Sequence, residues 1–368
     1  MSILSKALSA VSVGAVMAAA GFAAQASDAG TLKDGRIGYV VADAHFAVHQ
    51  TPDGQKECPQ GLNPNGPREI FKQLWPNGGT MEQTILKRQA ANAYPAEHPP
   101  QFPYIETSGT TALGLNLDGK VGPKDFTSPE GEKGIDNAFY RVTGCNTGFR
   151  GPDGQVQLFA SKFLRRFQYN RMMIELSGVD SLADDSSVDV TIMRGRDPIL
   201  LDASGEKAAP GGSQRIDMRY GKMLIQKLHG KIEGGVLTTD PVKDGTWAWQ
   251  IEGNHPRALQ IRDMRLRLTL TPTGADGLIG GYFDVNTLLD WTNGYATHHL
   301  AYDRLDAPEF YWAMRRVADA YSDPKTGENT ALSSAITINM AQVFIQRSEE
   351  PVALREPEPG ATRSAAER

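Results

Sequence analysis

Cysteine is scarce in this chain, with two residues, Cys58 and Cys145, among 368. Neither has a second cysteine or a histidine at ligand spacing, which argues against compact thiolate metal motifs. Beyond the N-terminal leader no apolar stretch is long enough to cross a bilayer as a helix. No basic run interleaves with aromatics and the formal charge is -5, so nucleic acid and anionic membrane surfaces are poor partners. Catalytic signatures are missing too. There is no G-x-S-x-G elbow and no H-E-x-x-H pair, and the clusters Ser186-Ser187 and Ser333-Ser334 lack a neighbouring base. No fixed-period repeat occurs, which argues against a solenoid or a propeller.

The N-terminus is the most specific signal present. Lys6 supplies a short positive region, Ala7 to Ala23 are apolar and Ala-rich, and Ala24-Gln25-Ala26 is the small-x-small pattern cut by signal peptidase. Residues 1–26 therefore read as a signal peptide. The mature chain is expected to begin near Ser27 and to reach the periplasm or the exterior without a lipid anchor. In an oxidising compartment two thiols most often pair, so a Cys58–Cys145 disulfide is expected. It would close a loop of nearly ninety residues, for roughly 4 kcal/mol in the chain-entropy model.

Hydrophobic content of 40% and charged content of 22% are ordinary globular values, while 38 Gly and 22 Pro point to many turns. Arg36 to Gln50 reads as a first strand, followed by short helical patterns at Pro67 to Leu74 and Met81 to Ala93. From Gln155 a succession of β-type segments begins, spaced by turn residues: Gln155–Phe163, Tyr169–Leu176, Val188–Met193, Ile199–Asp202, Gln214–Arg219, Lys222–Leu228, Lys231–Thr238, Thr246–Glu252, Leu259–Thr271 and Leu278–Phe283. Leu259 to Thr271 alternates most clearly, with one slip of phase near Asp263 that suggests a bulge, and its arginines read as a solvated face. A late helix, Ala307 to Tyr321, and a last β-like run, Ser334 to Ile345, follow. The expected fold is mainly β, an antiparallel, jelly-roll-like β-sandwich over 155–346. An irregular and helical region at 27–154 precedes it, and a tail at 347–368 with hardly any large apolar residue follows.

The segment Gly114 to Asp125 has the cadence of a calcium loop, with Asn116, Asp118, Gly119 and Asp125 at ligand and turn positions. Over those dozen residues it resembles the loops of dockerin-type modules, but Gly114 stands where Asp is expected and no flanking helices are evident. Asn116, Asp118, Asp125, Asp136 and Asn137 are accordingly candidate calcium ligands, with Glu130 and Glu132 close by. Asp43, His45 and His49 share one strand face, so a zinc-like site with His298 or His299 is geometrically conceivable. Trp247 and Trp249 also share a face, and with Trp291 and Tyr295 they are candidates for glycan binding, core packing being the competing assignment. Two functions stay open: an exported protein that binds a glycan or another protein, with calcium as a structural ion, and a secreted glycan hydrolase or lyase with catalytic groups drawn from separate strands.

Overall fold

Along Leu259–Thr271 nearly every second side chain is apolar, and these side chains all turn to one buried face. The same holds for Ile37, Tyr39 and Val41 near the start of the chain and for Leu332, Ile336, Ile338 and Met340 near its end. Strands patterned this way must cover one face, and here they do so by curling into a ring. The computed structural model describes residues 32–63, 76–78, 80, 94–100, 104–151, 154, 156, 161, 164–166, 171–219, 221–249, 258–293 and 307–347. The leader with its Ser27 junction, the two helical patterns at 67–74 and 81–93, Tyr295, His298, His299 and the tail from 348 lie outside them.

The strands are β1 (Arg36–Phe46), β2 (Phe126–Thr127), β3 (Lys133–Ile135), β4 (Met172–Ser177), β5 (Asp185–Arg194), β6 (Gly212–Arg215), β7 (Gln226–Glu233), β8 (Val236–Thr239), β9 (Val242–Trp247), β10 (Leu259–Thr271), β11 (Gly274–Asp284), β12 (Ala320–Ser322) and β13 (Asn329–Gln346). Among the described residues, the α-helices with defined bounds are α1 (Ala138–Thr143), α2 (Val285–Asn293) and α3 (Ala307–Val317). Neighbouring strands run β1-β4-β5-β7-β8-β10-β11-β13, and β13 then pairs with β1 from Gly38↔Val343 to Phe46↔Ile336. This is a closed, eight-stranded antiparallel β-barrel, not the sandwich expected from sequence. A sandwich would leave two sheets with free edges; here β13, 18 residues long, bonds to β11 on one side and β1 on the other. Strands β6, β9 and β12 are additions outside the ring, and β2 and β3 form a separate two-stranded hairpin.

Further local differences have simple causes. Lys231–Thr238 is two strands, because Gly234 and Gly235 both take positive φ and turn the chain between β7 and β8. The segment read as a strand from Gln155 is helical where it is described, at Val156, Ser161 and Leu164–Arg166. Ile199–Asp202 holds only a single bridge, Leu201↔Ala208. The bulge in β10 is present: the register shifts between Arg262 and Arg265, and Asp263 has φ +51°.

The barrel interior is filled by side chains, and its α2–α3 end is closed by an aromatic cluster. Phe46 lies 4.9 Å from Phe139, 5.6 Å from Trp249 and 6.0 Å from Trp291, ring centre to ring centre. Phe310 of α3 joins through Phe139 at 6.0 Å. Outward positions carry charge; along β7, Lys227, His229, Lys231 and Glu233 are all exposed. An apolar interior with a charged exterior reverses the pattern of a lipid-spanning barrel. No helix among the described residues is long and apolar enough to cross a membrane.

Cys58 and Cys145 are bonded, with Cα atoms 5.7 Å apart, and both are buried. The bridge ties the segment after β1 to the turn that follows α1. Replacing both cysteines by alanine should lower the free energy of unfolding by roughly 2–5 kcal/mol in equilibrium denaturation. Thiol titration of the unreduced, unfolded wild type should find none; two reactive thiols would contradict the bridge.

Candidate functional site

The acidic segment does not float over the barrel but lies on its outer wall. Leu115 and Leu117 pack against Gly280 of β11, where a Cβ would stand 2.8 Å from Leu115 Cδ1. Only glycine at this position lets the loop approach so closely. The arginine face of β10, read from sequence as solvated, meets this segment: Arg267 Nη1 pairs with Glu132 at 2.8 Å. Arg262 instead stands 3.7 Å from Asp284 and lies over the Tyr321 ring at 4.6 Å.

Between the segment and the wall lies a cleft of about 440 Å³. Asp118 and Asp125 line it from the loop, Asp136 and Asn137 from the end of β3 and the start of α1, and Arg141 from α1 itself. Tyr282 of β11, Arg316 of α3 and Asp319 complete the opposite side. The structure thus brings together Asp118, Asp125, Asp136 and Asn137, four of the five residues proposed as calcium ligands. Asn116 braces the turn instead: its Oδ1 accepts from Gly119 N at 2.7 Å and its Nδ2 donates to Lys120 O at 2.9 Å.

Most of these polar groups already have protein partners. Asp136 Oδ2 accepts from Leu117 N at 2.6 Å and Asp118 N at 3.3 Å. Asp118 Oδ1 accepts from Lys120 N, and Asp125 Oδ2 from Gly122 N. Asn137 caps α1, taking Tyr140 N at 3.1 Å while donating to Ala47 O and Leu113 O. Hydrogen bonds within the segment and to the barrel contribute to its order. Among the described residues no three histidine, cysteine or carboxylate side chains form a ready-made metal site.

Burial pushes the Asp136 carboxyl up to about 6, against the hydrogen bonds from Leu117 and Asp118, and repulsion from Asp118 and Asp125 adds to the rise. Asp319 still touches solvent, yet the surrounding protein raises its carboxyl as well, while Ser333 donates to both of its oxygens, from N at 2.8 Å and from Oγ at 2.6 Å. Tyr282 is held above its ordinary value by burial and by the charges of Asp136, Asp319 and Asp118. Of the lining cations, Arg316 pairs with Glu106 at 2.6 Å and Arg141 donates to Lys124 O while lying over the Phe126 ring, and Lys124 itself lines the cleft.

The wall behind Tyr282 is strained. Asp263, the bulge residue, and Tyr321, at φ +57°, both adopt left-handed backbone that side chains rarely take. They hold each other through Tyr321 OH to Asp263 Oδ2 at 2.6 Å, and the Tyr321 ring meets Tyr282 edge-on at 5.8 Å. Strain of this kind persists where neighbouring contacts fix the geometry.

The remaining sequence candidates go elsewhere. Trp247, Trp249 and Trp291 are 0, 1 and 7% exposed, so they are core residues at the end of the barrel, not a glycan platform. Trp291 Nε1 donates to Trp249 O at 2.8 Å, which orients the Trp291 ring. His45 sits beside Asp43, Nδ1 to Oδ1 3.4 Å, with Arg165 on the other oxygen. His49 faces Glu57 instead, so the three residues of that strand face do not converge. No sequence motif marks Tyr282, Asp319 or Arg316, because nothing local in the chain links them to residues more than a hundred positions earlier. No known family model, curated protein or solved structure matches this chain.

Asp136 supplies a direct test of the cleft's electrostatics. Its folded-state value lies above the ordinary 3.8, so the ionised form costs stability. That cost is absent in acid and grows as pH rises from about 4 to about 6. Asp136→Asn should therefore stabilise the protein at neutral pH and above, by about 1 kcal/mol after allowing for solvent screening of a half-exposed group, with no gain near pH 4. Urea denaturation at several pH values checks this; a pH-independent difference would contradict it.

Proposed function

We propose that this is an exported binding protein whose cleft takes a hydroxyl-rich ligand, a glycan fragment. The observation that carries the reading is the cleft itself. Its volume lies within the range of small-ligand sites, and several separate chain segments contribute polar groups to it. Sugar hydroxyls donate to carboxylates and accept from arginine and lysine, and the cleft offers both kinds of group beside the Tyr282 ring. Export is supported by the leader-like N-terminus together with the buried disulfide. Calcium enters as an ion shared between ligand hydroxyls and the cleft carboxylates, which would have to draw together to hold it.

One observation favours a second reading. A carboxyl raised to about 6 is suited to proton donation, so Asp136 would serve as general acid if the protein hydrolysed a glycosidic bond.

Calorimetry against a panel of acidic and neutral oligosaccharides, with calcium and with chelator, tests both. Binding should fall at least about tenfold in Asp125→Asn and Asp319→Asn variants, each having lost one charged hydrogen bond. Asp136→Asn separates the readings: a binding protein keeps ligand and releases no product, while a hydrolase loses turnover and still binds. If no oligosaccharide binds under either condition, the glycan assignment fails.

A further inference from the structure

Away from the cleft, arginine is concentrated where β5 ends and the chain after β6 runs back along it. Arg194, Gly195 and Arg196 lie antiparallel to Arg215, Ile216 and Asp217: Gly195 and Ile216 form a bridge, Asp217 N donates to Arg194 O at 2.7 Å and Arg196 N to Arg215 O at 2.9 Å. Side chains alternate along extended chain, so Arg194, Arg196, Arg215 and Asp217 share one face, with Arg196 directly opposite Arg215. Like charges placed opposite each other destabilise a strand pair, so this pairing calls for a counter-charge.

The local carboxylates are already committed. Asp197 is held by Arg215: its Oδ1 accepts from Nε at 3.0 Å and from Nη2, and its Oδ2 accepts from Arg215 N at 2.7 Å. Asp217, one place along from Arg215 on the same face, is held by Arg219, whose Nε reaches Oδ1 and whose Nη2 reaches Oδ2, both at 2.8 Å. Asp202 and Glu206 belong to the turn further out, where Asp202 Oδ1 accepts from Ser204 Oγ at 2.6 Å. Arg171 donates to the neutral carbonyl oxygens of Gly195 and Arg196. Arg196 is exposed, and no carboxylate among the described residues bonds to it. Arg215 is exposed too, and its Nη1 takes no part in the Asp197 fork.

We propose that Arg196 and Arg215, with Arg219 beside them, form a binding site for a phosphate or sulfate group. One guanidinium fork fills a carboxylate, as Asp197 and Asp217 show, so an anion that bridges several guanidiniums needs the further acceptor oxygens of a tetrahedral group. Arg196 supplies a whole fork, Arg215 its Nη1 and Arg219 its charge. The aspartate forks orient Arg215 and Arg219 before any ligand arrives, which lowers the ordering cost of binding. Arg171 and Arg194, both buried, add positive potential at the same place. The site uses none of the cleft residues and does not depend on the glycan reading.

Calorimetry and thermal melts of the mature, disulfide-intact protein with inorganic phosphate, inorganic sulfate and glycerol phosphate, each against chloride at equal ionic strength, test it. Wild type should bind phosphate saturably and melt at higher temperature with it. Arg196→Gln should weaken binding at least about tenfold, the scale of one charge-assisted hydrogen bond. Without phosphate this variant should melt no lower than wild type, because the like-charge pair is gone. Asp125→Asn, which alters the cleft, should leave phosphate binding unchanged. Tighter binding of glycerol phosphate than of inorganic phosphate assigns the group to a larger ligand, and equal binding assigns the free ion. No saturable binding beyond chloride, equal binding in Arg196→Gln, or loss of binding in Asp125→Asn would overturn the proposal.

Discussion

Pairing of β13 with β1 is the constraint on which the rest of this structure depends. The two strands lie near opposite ends of the described chain, and eight residue pairs from Gly38↔Val343 to Phe46↔Ile336 join them. Closure removes both edges of the ring and encloses one apolar interior. It also places Ser333, an outward residue of β13, against the N-terminal region: Ala138 N donates to Ser333 Oγ at 2.9 Å, and the hydroxyl donates in turn to Asp319 Oδ2. The start of α1, the end of α3 and the barrel wall thus meet at one serine, and the cleft opens beside it. The Ala138–Ser333 contact spans 195 residues of sequence, so it belongs to the tertiary fold and not to any local pattern.

Local chemistry was legible in the sequence, and closure was not. Leu259–Thr271 has the expected bounds because its alternation is uninterrupted except at Asp263, where the break in phase marks a real bulge. Alternation reports that one face is buried, but a sandwich and a barrel bury one face of each strand equally well. Deciding between them requires knowing which strand pairs with which, and β13 with β1 is a partnership that no local pattern records. Lys231–Thr238 was misread for a different reason. Its buried positions, Ile232 and Leu237, change phase across Gly234-Gly235, and two adjacent glycines at positive φ make the turn there.

In the acidic segment Asp118, Asp125, Asp136 and Asn137 converge, and backbone N–H groups, the Leu115 and Leu117 contact with Gly280, and the Arg267–Glu132 pair support that arrangement. An Asx-type turn and a calcium loop need the same residues, since both place side-chain oxygens at alternating positions around a glycine. Composition alone cannot separate them. The tryptophans illustrate the same ambiguity with a different outcome: two that share a strand face could pave a surface or fill a core, and closure of the barrel turned that face inward.

Two polar clusters of this protein answer the problem of concentrated charge in opposite ways. In the cleft, desolvation by the surrounding protein raises the Asp136 and Asp319 carboxyls, and the carboxylates crowded beside them add a smaller repulsion in the same direction. Beneath the disulfide, Glu57 is far more deeply buried but stands alone among Arg150, His49 and Thr51, so charge is matched by charge and by hydroxyl. The cleft is open to solvent on one face, which suits a site that exchanges one set of hydrogen-bond partners for another. The Glu57 cluster is sealed by a covalent bridge and by three bonds to one carbonyl oxygen, which suits a fastening. Solvent access, more than the number of charges, therefore separates the part of this fold that can receive a ligand from the part that holds it together.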